Sequence, residues 1–147
     1  MGQVMGKLYE TDIAAWASEQ AQLLRSGVWS SLDLENIAEE IEDVGRSERH
    51  ELDSRVAVLI GHLLKWKFQP EKRSKSWIDT IDVQRLRVEA RLRRTPSLKR
   101  FLADQAWRQE AWLDGLSIAQ NETGLHGLPR EPVWTVDQLR DPEFFPD

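Results

Sequence analysis

One apolar stripe constrains the fold of this chain more than any other feature. From Leu34 to Trp66, hydrophobic residues recur three and four positions apart and stay in phase across Gly45. Leu34 and Leu52 are 18 residues apart, which corresponds to five helical turns. This spacing places the side chains on one face of a helix. We therefore predict one long helix over about 34–67, in which Gly45 marks close packing or a bend.

The same periodicity predicts three further main helices, and no segment alternates as a strand would. They are expected at about 12–25, 76–95 and 98–122. The predicted N-caps of these helices are Asp12 or Thr11, Ser76 and Ser97. The residues predicted to end them are Gly27, Pro96 and Gly124. In the tail, about 125–147, Thr135 and Gln138 have the spacing of a capping box for one short helix. We expect a single all-α domain over 1–147: a bundle of four main helices, one of them long, with a docked tail.

Composition excludes several classes of function. A net charge of -5 provides no general basic field for nucleic acid. The chain has no cysteine, so thiolate chemistry is excluded and zinc lacks its preferred soft ligands. No apolar run approaches the ~20 residues of a membrane span, and the first residues lack the features of a signal peptide. We expect a cytoplasmic protein that uses no cofactor and does not enter a membrane.

Polar residues on the inward helix faces form the first candidate site. They are Glu48, Arg49, Gln84, Arg85, Gln105 and Gln109. Buried polar groups need hydrogen-bond partners, so these side chains could form a layer of ion pairs and amides that fixes the helix register. The alternative is a ligand or anion site between helices, where helical bundles hold their ligands.

Two acidic pairs form the second candidate site. Glu39 and Glu42 lie near the start of the long helix, and Asp79 and Asp82 lie on the next helix. Carboxylates on two facing helices could hold Mg²⁺, which bridges phosphate oxygens and activates water. This pattern loosely resembles the magnesium sites of the all-α nucleotide pyrophosphohydrolases, and a metal-dependent phosphate-ester or nucleotide hydrolase is therefore one alternative. Solvated charged faces have the same spacing, and metal binding is not our leading expectation.

The stretch HLLKWKFQPEKRSKSW, residues 62–77, interleaves aromatic and basic residues. Its candidate anion-binding cations are Lys65, Lys72, Arg73 and Lys75. Basic residues beside aromatic rings can bind phosphates and stack bases, which makes a nucleic-acid-associated factor a further alternative. We instead expect a helix–loop–helix corner clamped by buried Trp66 and Trp77. Because 25 acidic residues oppose 20 Lys and Arg, nucleic-acid binding should be weak and non-specific.

The last predicted main helix carries apolar residues on two faces. Trp107, Ala111 and Ile118 lie away from the Leu98–Leu116 stripe. Two apolar faces indicate either a central helix or a contact between copies of the chain. Our leading hypothesis is a non-enzymatic helical protein-interaction domain that associates with itself or with another protein.

Three motifs together resemble one family. They are LDLENIAEEIEDVGRSERHELDSR, HLLKWKFQPEKRSKSWIDTIDVQR and WTVDQLRDPEFFPD. The chain resembles, from about Tyr9 to Phe145, the bacterial family called domain of unknown function 29. The resemblance implies an almost wholly helical domain with no established activity, and it assigns no chemistry to any residue.

Overall fold

The computed structural model describes residues 8–147 and contains helices but no strand in that range. The helices are α1 Ile13–Ser26, α2 Leu34–Phe68, α3 Lys75–Arg94, α4 Lys99–Leu102, α5 Gln105–Thr123 and α6 Val136–Arg140. Residues 8–11 add one helical turn before α1. The all-α prediction with four main helices, α1, α2, α3 and α5, is confirmed. Within residues 8–147, none of these helices combines the length and apolarity that a bilayer crossing requires.

Helix α2 runs without interruption through Gly45, as its in-phase apolar stripe predicts. Asp33 precedes it, and its carboxylate accepts hydrogen bonds from the backbone N–H and side-chain amide of Asn36, at 3.5 and 2.8 Å. The suggestion that Gly45 marks close packing is wrong. A Cβ placed at Gly45 would meet no atom within 4 Å, so this glycine brings no neighbouring element closer.

Local capping explains the bounds of α1 and α3. The Asp12 carboxylate accepts from the Ala15 N–H at 3.1 Å, and Gly27 ends α1 with a φ of 72°. Helix α3 begins earlier than predicted because Ser74, and not Ser76, caps it. The Ser74 hydroxyl accepts from the N–H of Trp77 at 3.3 Å.

The prediction of a single helix over 98–122 is wrong, because the chain leaves the helical conformation before Asp104 and a new helix starts after it. After the short α4, the Asp104 carboxylate accepts from the N–H groups of Ala106 and Trp107, at 2.9 and 3.4 Å. An aspartate that binds these amides favours the start of a helix over its interior. Helix α5 therefore starts at Gln105, and this residue is exposed, not inward-facing as predicted.

The chain divides into two compact units, of which the first ends at Ser47 and the second is Glu48–Asp147. The prediction of one domain over 1–147 stays a prediction. In the second unit, one apolar core joins residues of α2, α3 and α5 to Trp134 and Leu139 of the tail. The tail therefore docks on the helices of its own unit, as expected.

Two glycines allow α2 and α5 to approach closely inside the second unit. A Cβ on Gly115 would lie 2.5 Å from Ile60 Cγ2, and one on Gly61 would lie 2.9 Å from Ile118 Cγ2. Real Cβ atoms do not approach other atoms this closely, so the crossing depends on the absence of side chains at both positions.

Candidate functional site

The first unit is built around a helical hairpin, residues 13–47, which we call the N-terminal hairpin. Trp16 and Gln20 are its buried residues, and both contact the start of α2. The Trp16 indole N–H donates to Asp33 Oδ2 at 3.0 Å, and Gln20 Oε1 accepts from the Asp33 backbone N–H at 2.8 Å. Burial raises the pKa of the Asp33 carboxyl, but bonds from Asn36 and Trp16 outweigh it and leave the pKa lowered. Asp33 thus joins the two helices as an ionised cap.

Tyr9 supports one end of the hairpin. Its ring meets Trp16 edge-on with centroids 4.8 Å apart, and its hydroxyl donates to Glu40 Oε1 at 2.5 Å. The bond to Glu40 raises the pKa of Tyr9 to about 12. Glu40 is therefore held by a neutral donor from its own unit.

An apolar groove lies between α1 and the first turns of α2. Its volume is about 260 Å³, and it is lined by Trp16, Ala17, Gln20, Ala21, Leu24, Ile37, Glu40, Ile41 and Val44. Glu40 is the charged residue in this lining. Three large apolar side chains of this lining remain exposed, Leu24 by 43%, Ile41 by 66% and Val44 by 67%. Ile13, on α1, and Leu34, on α2, lie outside the lining and are exposed by 51% and 66%. Such exposure in a small unit is typical of an interaction surface.

The other acidic residues of the hairpin converge on Arg46. Its guanidinium contacts Glu39 at 2.9 Å, Glu42 at 3.5 Å and Asp43 at 2.5 Å. At about 100° per residue, these four positions lie on the side of α2 opposite Ile37, Ile41 and Val44. The predicted acidic pair Glu39 and Glu42 therefore belongs to an exposed ion-pair cluster.

The second predicted acidic pair is split between two environments. Asp79 lies 4.0 Å from Lys75, whereas Asp82 lines a cavity beside the tail. Among residues 8–147, no group of three or more His, Cys, Asp or Glu side chains is placed to hold a metal ion. The four predicted carboxylates therefore do not form one metal site among the described residues. The hydrolase hypothesis stays an untested alternative.

Arg85 holds the tail of the second unit. Only 4% of this residue is exposed. Its guanidinium donates to four tail carbonyls, those of Leu139 at 2.8 Å, Phe144 at 2.7 Å, Gln138 at 3.4 Å and Pro142 at 3.5 Å. Burial lowers the pKa of Arg85. Arg85 faces inward, as the helical periodicity predicts, but the sequence does not predict which groups it binds.

A cavity of about 510 Å³ lies between α3 and the tail, next to Arg85. Arg140 from the tail and Glu89 from α3 form a two-bond ion pair in its wall, with N···O distances of 2.7 and 3.0 Å. The lining mixes these charges with apolar side chains of Ile78, Leu86 and Phe145. The polar contacts within this wall fasten the tail to α3.

The other predicted polar residues do not join Arg85 in one network. Glu48 Oε2 accepts from Arg91 at 2.6 Å and from the Thr95 hydroxyl at 3.0 Å, which lowers the pKa of Glu48 chiefly through the Arg91 bond. Gln109 donates to the Arg130 carbonyl at 3.3 Å. The predicted layer is therefore a set of separate local contacts.

The remaining three members lie apart as well. The Arg49 guanidinium lies over the Phe101 ring, 4.5 Å from its centroid, and Gln105 is exposed. Gln84 is buried, and its Oε1 has no hydrogen-bond partner among the described residues. A single inter-helix ligand site made of all six residues is not present.

In the helix–loop–helix corner of residues 62–77, which we call the basic corner, two of the four candidate cations bind groups of the protein itself. Lys65 is buried, its ammonium bonds to Glu122 at 2.5 Å, and it lies 4.9 Å from the Trp77 ring centroid. Arg73 donates to the Trp66 carbonyl at 2.8 Å. Lys72 and Lys75 are exposed. The corner thus offers fewer free cations to an anion than its sequence suggests.

Trp66 and Trp77 are half-buried, so the prediction that both are buried core residues is wrong. Trp66 packs against Phe145 of the tail, with ring centroids 5.2 Å apart, and lies under Arg73 at 4.7 Å. Trp77 carries the Lys65 ammonium over its face. Each ring therefore clamps the corner through a different partner.

The interface predicted on α5 is not available at its central residues. Trp107 and Ala111 are 3% and 4% exposed and belong to the apolar core of the second unit. The Trp107 indole donates to Asp53 at 2.6 Å, and Ile118 packs at Gly61. Between the two alternatives for α5, the structure favours a central helix.

The groove of the N-terminal hairpin is the surface that sequence reasoning missed. The in-phase stripe from Leu34 to Trp66 predicts one continuous apolar face and does not distinguish its first turns from the rest. Leu34 and Ile41 are exposed, whereas Leu52 and Leu59 are fully buried in the second unit. The available signal was composition, because the start of α2 is acidic and α1 is alanine-rich, which leaves few large partners nearby.

Searches of curated proteins and of solved structures returned no significant match to this chain. Residues 8–145 match the family described as "Domain of unknown function DUF29". That match covers nearly all of the 147 residues and includes both compact units. The chain therefore belongs to the DUF29 family.

Proposed function

We propose that this chain is a non-enzymatic helical protein-interaction domain and that the groove of its N-terminal hairpin receives a helical partner. The exposure of Leu34, Ile41 and Val44 supports this proposal most directly, because each is about two-thirds exposed. Exposure of three such side chains to water is unfavourable, and a partner that buries them gains the free energy of transferring their apolar surface out of water. Grooves of this kind accept the apolar face of an amphipathic helix.

The remainder of the chain then has a structural role. Its core, the Arg85 contacts and the Glu89–Arg140 pair hold the second unit together and leave the hairpin as the surface for recognition. The absence of cysteine supports a cytoplasmic, reducing location for this activity.

In-cell photo-cross-linking tests the proposal. A benzoyl-phenylalanine residue replaces Ile41 in the groove or, as the matched control, Glu42 on the opposite face of the same helix. Their exposures are comparable, 66% for Ile41 and 65% for the Glu42 side chain. We expect a protein adduct from position 41 in the native host and none from position 42. Equal adducts from both positions, or none from position 41, would contradict the proposed function.

A further inference from the structure

We infer that the occupant of the groove is the N-terminal hairpin of a second copy of this chain, so that two hairpins form a four-helix bundle. This inference rests on the proposed function and names its partner. Leu34, Ile37, Ile41 and Val44 follow one another at spacings of three, four and three. These are the a and d positions of two heptads, the pattern by which helices pack side by side.

Helix α1 carries the same spacing of three, four and three at four of its positions. They are Ile13, Trp16, Gln20 and Leu23. Packing of α1 on α2 buries Trp16 and Gln20 but leaves Ile13, Leu34 and Ile41 exposed. A four-helix bundle places all a and d positions at its centre, whereas a hairpin alone covers only part of them. A second hairpin with the same repeat supplies the missing half.

The surface of the hairpin is complementary to itself. Ile41 and Val44 project from α2, whereas Ala17 and Ala21 provide a shallow groove lining on α1. Projecting branched side chains of one copy fit over small residues of the other, as knobs fit into holes. A two-fold axis would apply the same fit twice, which is how most homodimers are built.

Charge favours a second copy over a basic helix as the occupant. A basic partner needs unpaired carboxylates at the groove, but Glu40, the charged lining residue, is hydrogen-bonded by Tyr9. Glu39, Glu42 and Asp43 contact Arg46 on the opposite side of α2. Two copies can therefore meet groove to groove without bringing these three carboxylates into the contact. Repulsion between their outer faces is screened beyond about 8 Å at physiological salt.

The exposed apolar area has the size that a stable dimer needs. Five large side chains, Ile13, Leu24, Leu34, Ile41 and Val44, are each between 43% and 67% exposed. Together they present on the order of 400–500 Å² of apolar surface. Because apolar groups form about 60% of an interface, this corresponds to about 700–800 Å² per partner, close to a standard protein interface.

Sedimentation velocity of the full chain, from about 1 to about 200 µM, tests this inference over the range of weak dimers. We expect a monomer–dimer equilibrium. The double variant Ile41→Lys with Val44→Lys should raise its dissociation constant by about 100-fold or more. Leu86→Lys is the matched control, since Leu86 is 69% exposed on α3 and lies outside the hairpin. It should leave the dissociation constant unchanged.

Circular dichroism should show the wild-type helix content in both lysine variants, because every replaced side chain is exposed. Should folding of the double variant be impaired, Ala17→Gln, which fills the groove lining from an exposed α1 position, replaces it in the same measurement.

A monomer at every concentration, or a dimer that both groove variants leave intact, would overturn the inference. A monomer that still gives a heterologous photo-adduct from position 41 leaves the proposed function standing without this partner. A monomer with no adduct removes both.

Discussion

The two compact units of this chain use apolar residues in opposite ways. Every member of the main core lies between Leu52 and Leu139, in the unit Glu48–Asp147. That unit brings its tail, through Trp134 and Leu139, onto its own helices. The N-terminal hairpin buries Trp16 and Gln20 and leaves its other large apolar side chains wholly or partly exposed. The difference shows that the second unit encloses an apolar core, whereas the hairpin leaves most of its large apolar side chains in contact with solvent.

The largest expected effect comes from truncating the aromatic centre of the second unit. Trp112 is 1% exposed, its indole donates to the Pro129 carbonyl at 2.8 Å, and its ring meets Trp134 with centroids 5.3 Å apart. We expect Trp112→Ala to lower the free energy of unfolding in urea by about 3–5 kcal/mol. Trp29→Ala, at a residue that is 63% exposed in the first unit, should change it by less than about 0.5 kcal/mol. Equal losses would contradict the contrast between the units.

Removing the guanidinium of Arg85 should release the tail. We expect Arg85→Gln to cost about 2–3 kcal/mol, because several tail carbonyls lose a charged donor inside the protein. Limited proteolysis should then cut within 134–147 faster than in the wild type. Arg87→Gln, at an exposed position on the same helix, should leave both measurements unchanged. An uncut tail in Arg85→Gln would mean that the apolar contacts of Trp134 and Leu139 hold it alone.

Close packing in the second unit makes Gly115 sensitive to a single methyl group. We expect Gly115→Ala to lower the free energy of unfolding by about 1–3 kcal/mol, because the new Cβ would lie 2.5 Å from Ile60 Cγ2 and 3.0 Å from the Ala57 carbonyl oxygen. Ile60→Val keeps the Cβ and Cγ2 atoms that the new methyl group would meet, so combining it with Gly115→Ala should recover none of this loss. A double variant as stable as Ile60→Val alone would contradict the clash at Gly115.

Local signals explain which parts of the fold the sequence could predict. The continuity of α2 through Gly45 is confirmed, and Asp12, one of the two predicted caps, caps α1. The capping box of Thr135 and Gln138 is also confirmed, and its bonds in both directions measure 3.1 and 2.9 Å. Each depends on residues within a few turns of one another. The division of the helix predicted over 98–122 could not be read from the sequence, because an aspartate such as Asp104 can lie within a helix or start one, and only the packing on both sides decides.

The features that could not be predicted from the sequence depend on contacts between segments that are far apart in the chain. Arg85 is bound by tail carbonyls more than 50 residues away, and a backbone carbonyl leaves no trace in residue identity. The Gly61 and Gly115 crossing likewise needs two helices in their final positions. The groove was hidden for the opposite reason, since periodicity shows which residues share a face but not whether anything covers it.

Acid should weaken the attachment of the tail before it affects the apolar core. The bonds from Arg140 lower the pKa of Glu89 below its usual value of 4.5. A depressed carboxyl pKa contributes stability that is present above the unfolded pKa and lost as pH falls through the folded pKa. Because both side chains are about one-third exposed, the contribution is about 1 kcal/mol or less. Glu89→Gln should reduce the loss of unfolding free energy below about pH 4.5, whereas Glu131→Gln, at an exposed position, should not.

The smallest expected effect comes from Gly45, a helical glycine in open space. Gly45 lies inside α2 in the first unit, and a Cβ there would meet no atom within 4 Å. Gly45→Ala should therefore raise stability by about 0.4–1 kcal/mol, since alanine reduces the entropy of the unfolded chain and suits a helix better. Hydrogen exchange of the amides of residues 43–47 should slow correspondingly. The same substitution thus has opposite signs at Gly115, where the space is filled, and at Gly45, where it is open. A loss of stability in Gly45→Ala would show that the hairpin end of α2 is packed after all, which would remove the basis for treating the two units differently.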